Sequence, residues 1–126
     1  MSRQPFPESI LVVDDTEFMV KVLSEMFEAD GYDVYSAQSG EEALGVYAEV
    51  LPDLVTLDVV MPGMDGIAVL ARLREMDPAC KVIMVSAVGL EAKVMEALGL
   101  GARNYVLKPF DRDKVLQAVR RVLDEY

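Results

Sequence analysis

The sequence predicts an α/β fold, a doubly wound five-stranded parallel sheet covered by helices on both faces. Three observations predict it. Five short strand-like runs, four of them rich in Val, Ile and Leu, recur along 126 residues, and most are apolar at nearly every position rather than at alternate ones. Each is followed by a segment with apolar residues at helical spacing. Strands buried on both faces and alternating with helices require a parallel sheet between two helical layers. Right-handed crossovers reduce the topologies to a doubly wound one, although periodicity alone leaves the strand order open.

In chain order, Ser9 to Val13 reads as a buried strand ending on Asp14-Asp15. Thr16 or Asp15 can cap the next helix, whose apolar stripe is Met19, Val22, Leu23, Met26 and Phe27, and Gly31 can close it in a left-handed turn. Asp33 to Ala37 is a second, short strand. Ser39-Gly-Glu-Glu42 has capping-box spacing and opens a helix carrying Ala43, Leu44 and Tyr47, which Pro52 ends. Leu54 to Asp58 is a third strand, closed by a Pro- and Gly-rich loop up to Gly66. A helix from Gly66 to about Met76 turns Ile67, Leu70, Ala71 and Leu73 inward and stops at Asp77-Pro78. Lys81 to Ser86 is a fourth strand, and Leu90 to Leu100 a short helix with Val94, Ala97 and Leu98, stopped by Gly101. Asn104 to Lys108 is a fifth strand followed by Pro109. Asp111 caps a last helix built on Val115, Val119, Val122 and Leu123.

Composition narrows the function. Hydrophobic residues make up 52% of the chain, enough for a core in a single domain of this length. A net charge of −10 disfavours nucleic acid, whose phosphates call for clustered Lys and Arg. The single cysteine, Cys80, leaves no intrachain disulfide and is compatible with a cytoplasmic setting. The N-terminus has no signal-peptide core, and no apolar run is long enough to span a bilayer. With no histidine at all, Ser-His-Asp and Cys-His chemistry are excluded, and any phosphohistidine in its chemistry belongs to another protein.

In a parallel sheet every strand's C-terminal end lies on one edge, where open α/β sheets bind ligands. Four strands here end on Asp14-Asp15, Asp58, Ser86 and Lys108. Clustered carboxylates repel one another unless a cation joins them. Mg²⁺ suits such a site, since it takes one or two carboxylates with water and phosphate oxygens. A carboxylate beside it can attack phosphorus, with the Lys108 ammonium and the Ser86 hydroxyl positioned to balance charge on the transferred group.

These residues carry a resemblance. Asp14-Asp15, Asp58-Val-Val-Met-Pro-Gly-Met-Asp-Gly66, Ser86-Ala87 and Lys108-Pro109-Phe110 together resemble the receiver domain of two-component response regulators, over the whole chain after a short tail at residues 1–8. The resemblance implies a flavodoxin-like (βα)5 sheet of order 2-1-3-4-5 over residues 9–126, and phosphoryl acceptance by Asp58. It implies Mg²⁺ held by Asp15, Asp58 and the Val60 carbonyl, with Asp14 helping directly or through water. Ser86 and Lys108 are then the phosphoryl contacts, and the Lys108–Pro109 bond is cis. Tyr105 matches the aromatic position that turns inward as Ser86 moves toward the phosphoryl group, reshaping the surface of the fourth helix, fifth strand and fifth helix.

Asp14-Asp15-Thr-Glu-Phe18-Met19 and Ser86-Ala-Val-Gly-Leu-Glu-Ala-Lys-Val are further similar to stand-alone chemotaxis regulators of the CheY type, with Val20 where a basic residue often stands. On that resemblance the expected partners are a sensor histidine kinase and a downstream effector, the flagellar switch among the candidates, and the chain is expected to be a cytoplasmic, single-domain monomer. The same resemblance implies that it turns over no external substrate and catalyses only its own phosphorylation and dephosphorylation. Val60 and Val88 lie two residues past Asp58 and Ser86. Neither side chain can orient an attacking water, which predicts slow loss of the phosphoryl group.

Other readings fit less well. A phosphorelay receiver shares every motif. A Mg²⁺-dependent phosphatase with an aspartyl nucleophile needs a second Asp as general acid where Val60 stands. A flavin carrier needs a Ser/Thr/Gly-rich phosphate loop where Asp14-Asp15 stand. A receiver-shaped module that binds without phosphorylation is expected to have lost Asp58 or Lys108, and both are present.

Overall fold

The computed structural model describes residues 7–125, so most of the expected tail lies outside the described residues. Ten elements alternate: β1 (Ser9–Val13), α1 (Glu17–Ala29), β2 (Asp33–Ala37), α2 (Gly40–Val50), β3 (Leu54–Asp58), α3 (Gly66–Met76), β4 (Val82–Ser86), α4 (Glu91–Gly99), β5 (Asn104–Leu107) and α5 (Arg112–Leu123). The strands form one sheet in the order β2-β1-β3-β4-β5, and every neighbouring pair is parallel. This is the doubly wound arrangement expected from the sequence.

The period-two alternation of the strands divides the core into two layers. Leu11, Val13, Val55, Leu57, Val82 and Met84 face α2, α3 and α4, where Ala43, Tyr47, Val69, Leu70, Leu73, Val94 and Ala97 complete one cluster. Ile10, Val12, Leu54, Ile83, Val85 and Val106 face α1 and α5, where Val20, Leu23, Phe27, Val115, Val119, Val122 and Leu123 complete the other. Asp14, Asp58 and Lys108 continue the parity of this second set, two residues beyond Val12, Thr56 and Val106. The alternation that buries the α1/α5 face thus delivers one group from each of three strands to the same side of the sheet edge.

The caps follow from residue type. Thr16, Ser39, Asp65 and Asp111 each accept a backbone N–H in the first turn of α1, α2, α3 and α5. Gly31 and Gly101 take φ of 94° and 111° just past α1 and α4, as helix-stopping glycines do. α2 ends differently: Leu51, with φ 48°, adopts the left-handed conformation ahead of Pro52.

Several boundaries and faces differ from the sequence reading. β4 begins at Val82 and β5 ends at Leu107, so Lys81 and Lys108 flank their strands. On α1 the buried residues are Val20, Leu23 and Phe27, with Met19, Val22 and Met26 only half-buried. The helix is rotated so that its stripe centres on Val20, Leu23 and Phe27, and Val20 is therefore a core residue. On α3, Val69 is buried while Ile67 and Ala71 are half-buried, and on α4 Leu98 is half-buried. The Ser39 capping box is displaced by one residue: Ser39 Oγ accepts from the Glu42 N–H, but the Glu42 carboxylate accepts from Gln38 rather than from Ser39.

Candidate functional site

β1 and β3 are adjacent in the sheet, although β2 lies between them in sequence, so the sheet reverses its winding between them and a crevice opens at their C-terminal ends. Asp14 and Asp58 stand on its two sides. One carboxylate oxygen from each of Asp14, Asp15 and Asp58 comes within 4.8 Å of the others. Asp14 and Asp58 are buried, at 1% and 7% exposure, and Asp15 is more open. β5 reaches the crevice through Lys108, whose Nζ lies 3.3 Å from Asp14 Oδ2 and 3.3 Å from Asp58 Oδ2.

The charges in this crevice are unbalanced, three carboxylates against one ammonium. Burial, and then the negative charge of Asp14, raise the Asp58 carboxyl from its ordinary value to about 6, against the pull of Lys108 and the Val60 N–H. Burial alone would lower the Lys108 ammonium, but Asp58 and Asp14 outweigh it and leave its pKa raised. A carboxylate held above its usual range beside two others marks a place where one more cation is favourable. The donor set is all oxygen, which fits Mg²⁺.

Asp14 is held firmly. Its Oδ1 accepts both the backbone N–H and the hydroxyl of Thr16, each at 2.9 Å. Asp58 Oδ1 accepts the Val60 N–H at 3.4 Å. Past Asp58, the Pro62-Gly63 turn uses a Gly63 φ of 73°, and the chain returns so closely that a Cβ on Gly66 would stand 2.0 Å from the Asp58 carbonyl oxygen. Glycine at 66 is what allows the start of α3 to rest against the end of β3, where the Gly66 N–H donates to the Val59 carbonyl at 3.0 Å.

Ser86 ends β4 with the opposite parity, in phase with Met84, and its hydroxyl donates to the Ala87 carbonyl at 2.8 Å. It is buried, at 1% exposure. Tyr105 is 43% exposed on β5. Val60 and Val88, at 51% and 76% exposure, are open to solvent on the loops past Asp58 and Ser86. The Lys108–Pro109 bond is cis. The sequence reading missed the Thr16 hydroxyl bond to Asp14 and the approach of Gly66. A signal for the first was present, since an Asp two residues before a Thr is the spacing of a side chain-to-backbone turn.

Residues 10–120 match the response regulator receiver domain. The chain belongs to that family. This receiver domain is 39% identical over 116 residues to the chemotaxis protein CheY of Bacillus subtilis, covering 91% of this chain and 97% of that protein. It is 40% identical over 116 residues to the sporulation initiation phosphotransferase F of the same organism, covering 92% and 94%. Among solved structures, the receiver superposes with a TM-score of 0.90 on a chain of the CheX–CheY–BeF3–Mg²⁺ complex of Borrelia burgdorferi, at 42% identity, covering 95% of this chain and 92% of that one. No helix among the described residues of the receiver is long and apolar enough to cross a membrane.

Proposed function

We propose that this chain is a cytoplasmic phospho-acceptor that takes a phosphoryl group from a partner histidine kinase onto Asp58 and relays it as a change of surface, in chemotaxis signalling. The reading rests chiefly on one observation: Lys108 bridges Asp14 and Asp58 in a buried crevice that still carries excess negative charge. Asp15, Asp58 and the Val60 carbonyl would hold Mg²⁺, with Asp14 directly or through water, and the ion supplies charge neutralisation for the incoming phosphoryl oxygens. The Mg²⁺ and BeF3 named with the Borrelia CheY support that pairing.

The chemistry is a displacement at phosphorus. An Asp58 carboxylate oxygen forms the new P–O bond as the P–N bond of the donor phosphohistidine breaks. The bonding pair returns to the imidazole nitrogen, and no water is consumed. Lys108 exchanges a carboxylate for a phosphoryl oxygen, and the Ser86 hydroxyl leaves the Ala87 carbonyl for another. The space it vacates admits Tyr105, altering the α4-β5-α5 face that meets the effector protein. The chain then acts on no external substrate. With Val60 where a general acid would have to stand, a phosphatase cycle has no proton donor for its leaving group.

The test is intact mass after treatment with acetyl phosphate, with and without Mg²⁺, on wild type and Asp58→Ala. One phosphoryl addition that needs both the ion and Asp58 is expected, and an unchanged mass in every arm overturns the reading. The likeness to sporulation phosphotransferase F favours a second role, a phosphorelay intermediate. Back-transfer of label from Asp58 to a histidine phosphotransfer domain would distinguish that role from a terminal regulator.

A further inference from the structure

Thr16 has a place in the crevice beyond capping a helix. Its Oγ1 accepts the Met19 N–H at 3.4 Å and donates to Asp14 Oδ1 at 2.9 Å. A hydroxyl carries one proton, and the cap fixes how it is used: the lone pair serves the helix and the hydrogen goes to the carboxylate. The Thr16 backbone N–H adds a second donor to the same oxygen, also at 2.9 Å. Asp14 Oδ1 is thereby occupied twice from one side, and Asp14 is almost wholly buried. Oδ2 is left for other partners, and it is the atom 3.3 Å from Lys108 Nζ.

We propose that Thr16 is the positioning residue that restricts Asp14 to a one-oxygen role and so sets the preference of the crevice for Mg²⁺ over Ca²⁺. The inference rests on the Mg²⁺ site proposed above. Mg²⁺ demands near-octahedral geometry at short distance and retains waters, whereas Ca²⁺ accepts six to eight oxygens and readily takes carboxylates through both atoms. A carboxylate whose second oxygen is tied down by two hydrogen bonds cannot chelate through both atoms. Removing the hydroxyl leaves Oδ1 with a single donor and allows the carboxylate to rotate about its Cβ–Cγ bond, which opens a two-oxygen mode to the larger ion. Partners that orient a metal-site ligand commonly change metal affinity by about 10–100-fold when removed.

The variants separate this role from the cap. In Thr16→Gly the backbone N–H to Asp14 is retained, and glycine at a cap position costs the helix only a few tenths of a kcal/mol. Thr16→Ser restores the hydroxyl. The readout is the ratio of Ca²⁺ to Mg²⁺ dissociation constants, each from titration of the unphosphorylated chain followed by backbone amide shifts, with thermal melting as the control for folding. Thr16→Gly is expected to shrink the ratio about tenfold, with Thr16→Ser within about twofold of wild type. A ratio unchanged in Thr16→Gly, or a Thr16→Ser variant that behaves like Thr16→Gly, overturns this inference and leaves the phospho-acceptor reading intact. A wild-type chain that binds no Mg²⁺ at all overturns both.

Discussion

Lys108 Nζ lies 3.3 Å from Asp58 Oδ2, joining the ends of two strands that do not touch in the sheet, since β4 runs between β3 and β5. The ammonium is also 3.3 Å from Asp14, so a single cation is shared between two buried carboxylates. Sharing leaves each of them under-neutralised, and the first prediction follows from that deficit.

Asp58 titrates at about 6 in the fold against an ordinary 3.8. The folded chain therefore binds this proton more tightly than the unfolded chain does. The stability it contributes is fully present below about pH 4 and is lost as pH rises through about 6. Asn at this position cannot ionise and keeps a similar shape. In EDTA, the stability of Asp58→Asn relative to wild type should rise between pH 4 and pH 6, by about 2–3 kcal/mol at full effect. Urea melts at four pH values would measure it, and a difference that stays flat across that window contradicts the assignment. Adding Mg²⁺ at pH 7 should stabilise wild type and leave Asp58→Asn almost unmoved.

Gly66 and Gly45 form a matched pair. A methyl on Gly66 would meet the Asp58 carbonyl oxygen at 2.0 Å, whereas Gly45, within α2, has nothing within 4 Å of its ideal Cβ. Gly66→Ala must push α3 away from β3 and should cost about 1–3 kcal/mol. Gly45→Ala should instead stabilise by up to about 1 kcal/mol through helix propensity and a less flexible unfolded chain. Denaturant midpoints of the two variants should move in opposite directions.

Thr56 lies in the middle of β3, 1% exposed, between Val12 and Ile83, and its hydroxyl has no hydrogen-bond partner. Threonine and valine share a shape, so Thr56→Val removes a stranded polar atom without opening a cavity. The variant should be more stable by about 1 kcal/mol, with an unchanged denaturant slope. A loss of stability would mean that the hydroxyl is satisfied in solution.

The phosphoryl group on Asp58 should decay faster in Val60→Asn. Val60 and Val88 are exposed and apolar on the two loops past Asp58 and Ser86, so neither offers a hydrogen bond to an attacking water. An amide at 60 would supply one, for a several-fold gain at least. Following the loss of the phosphorylated mass after the donor is removed checks this, and an unchanged rate counts against it.

Much of this was legible in advance, for identifiable reasons. Leu54 to Asp58 announced a buried strand because every residue on it is apolar or β-branched up to the carboxylate, and all five are buried. Asp14, Asp58 and Lys108 were visible as strand endings because parallel topology forces such endings onto one edge. The rotation of α1 onto Val20 was not legible. Met19, Val20, Val22 and Leu23 are all apolar, so hydrophobicity alone does not choose which of them faces the sheet, and packing against α5 and β1 decides. Nor was the displacement of the α2 box, because Glu42 can reach either of two adjacent N–H groups and spacing does not discriminate. The Gly66 approach was hidden because it depends on a backbone oxygen, which residue types do not report.

The hydrogen bond between Lys108 and Asp14 spans 94 residues of chain. During synthesis Asp14 and Asp58 emerge from the ribosome long before Lys108, the ammonium that bridges them among the described residues. A nascent or clipped chain lacking β5 thus holds its carboxylates without their internal counter-ion. On the proposed reading, the ammonium that would meet the phosphoryl group is thus the last part of the crevice to be made.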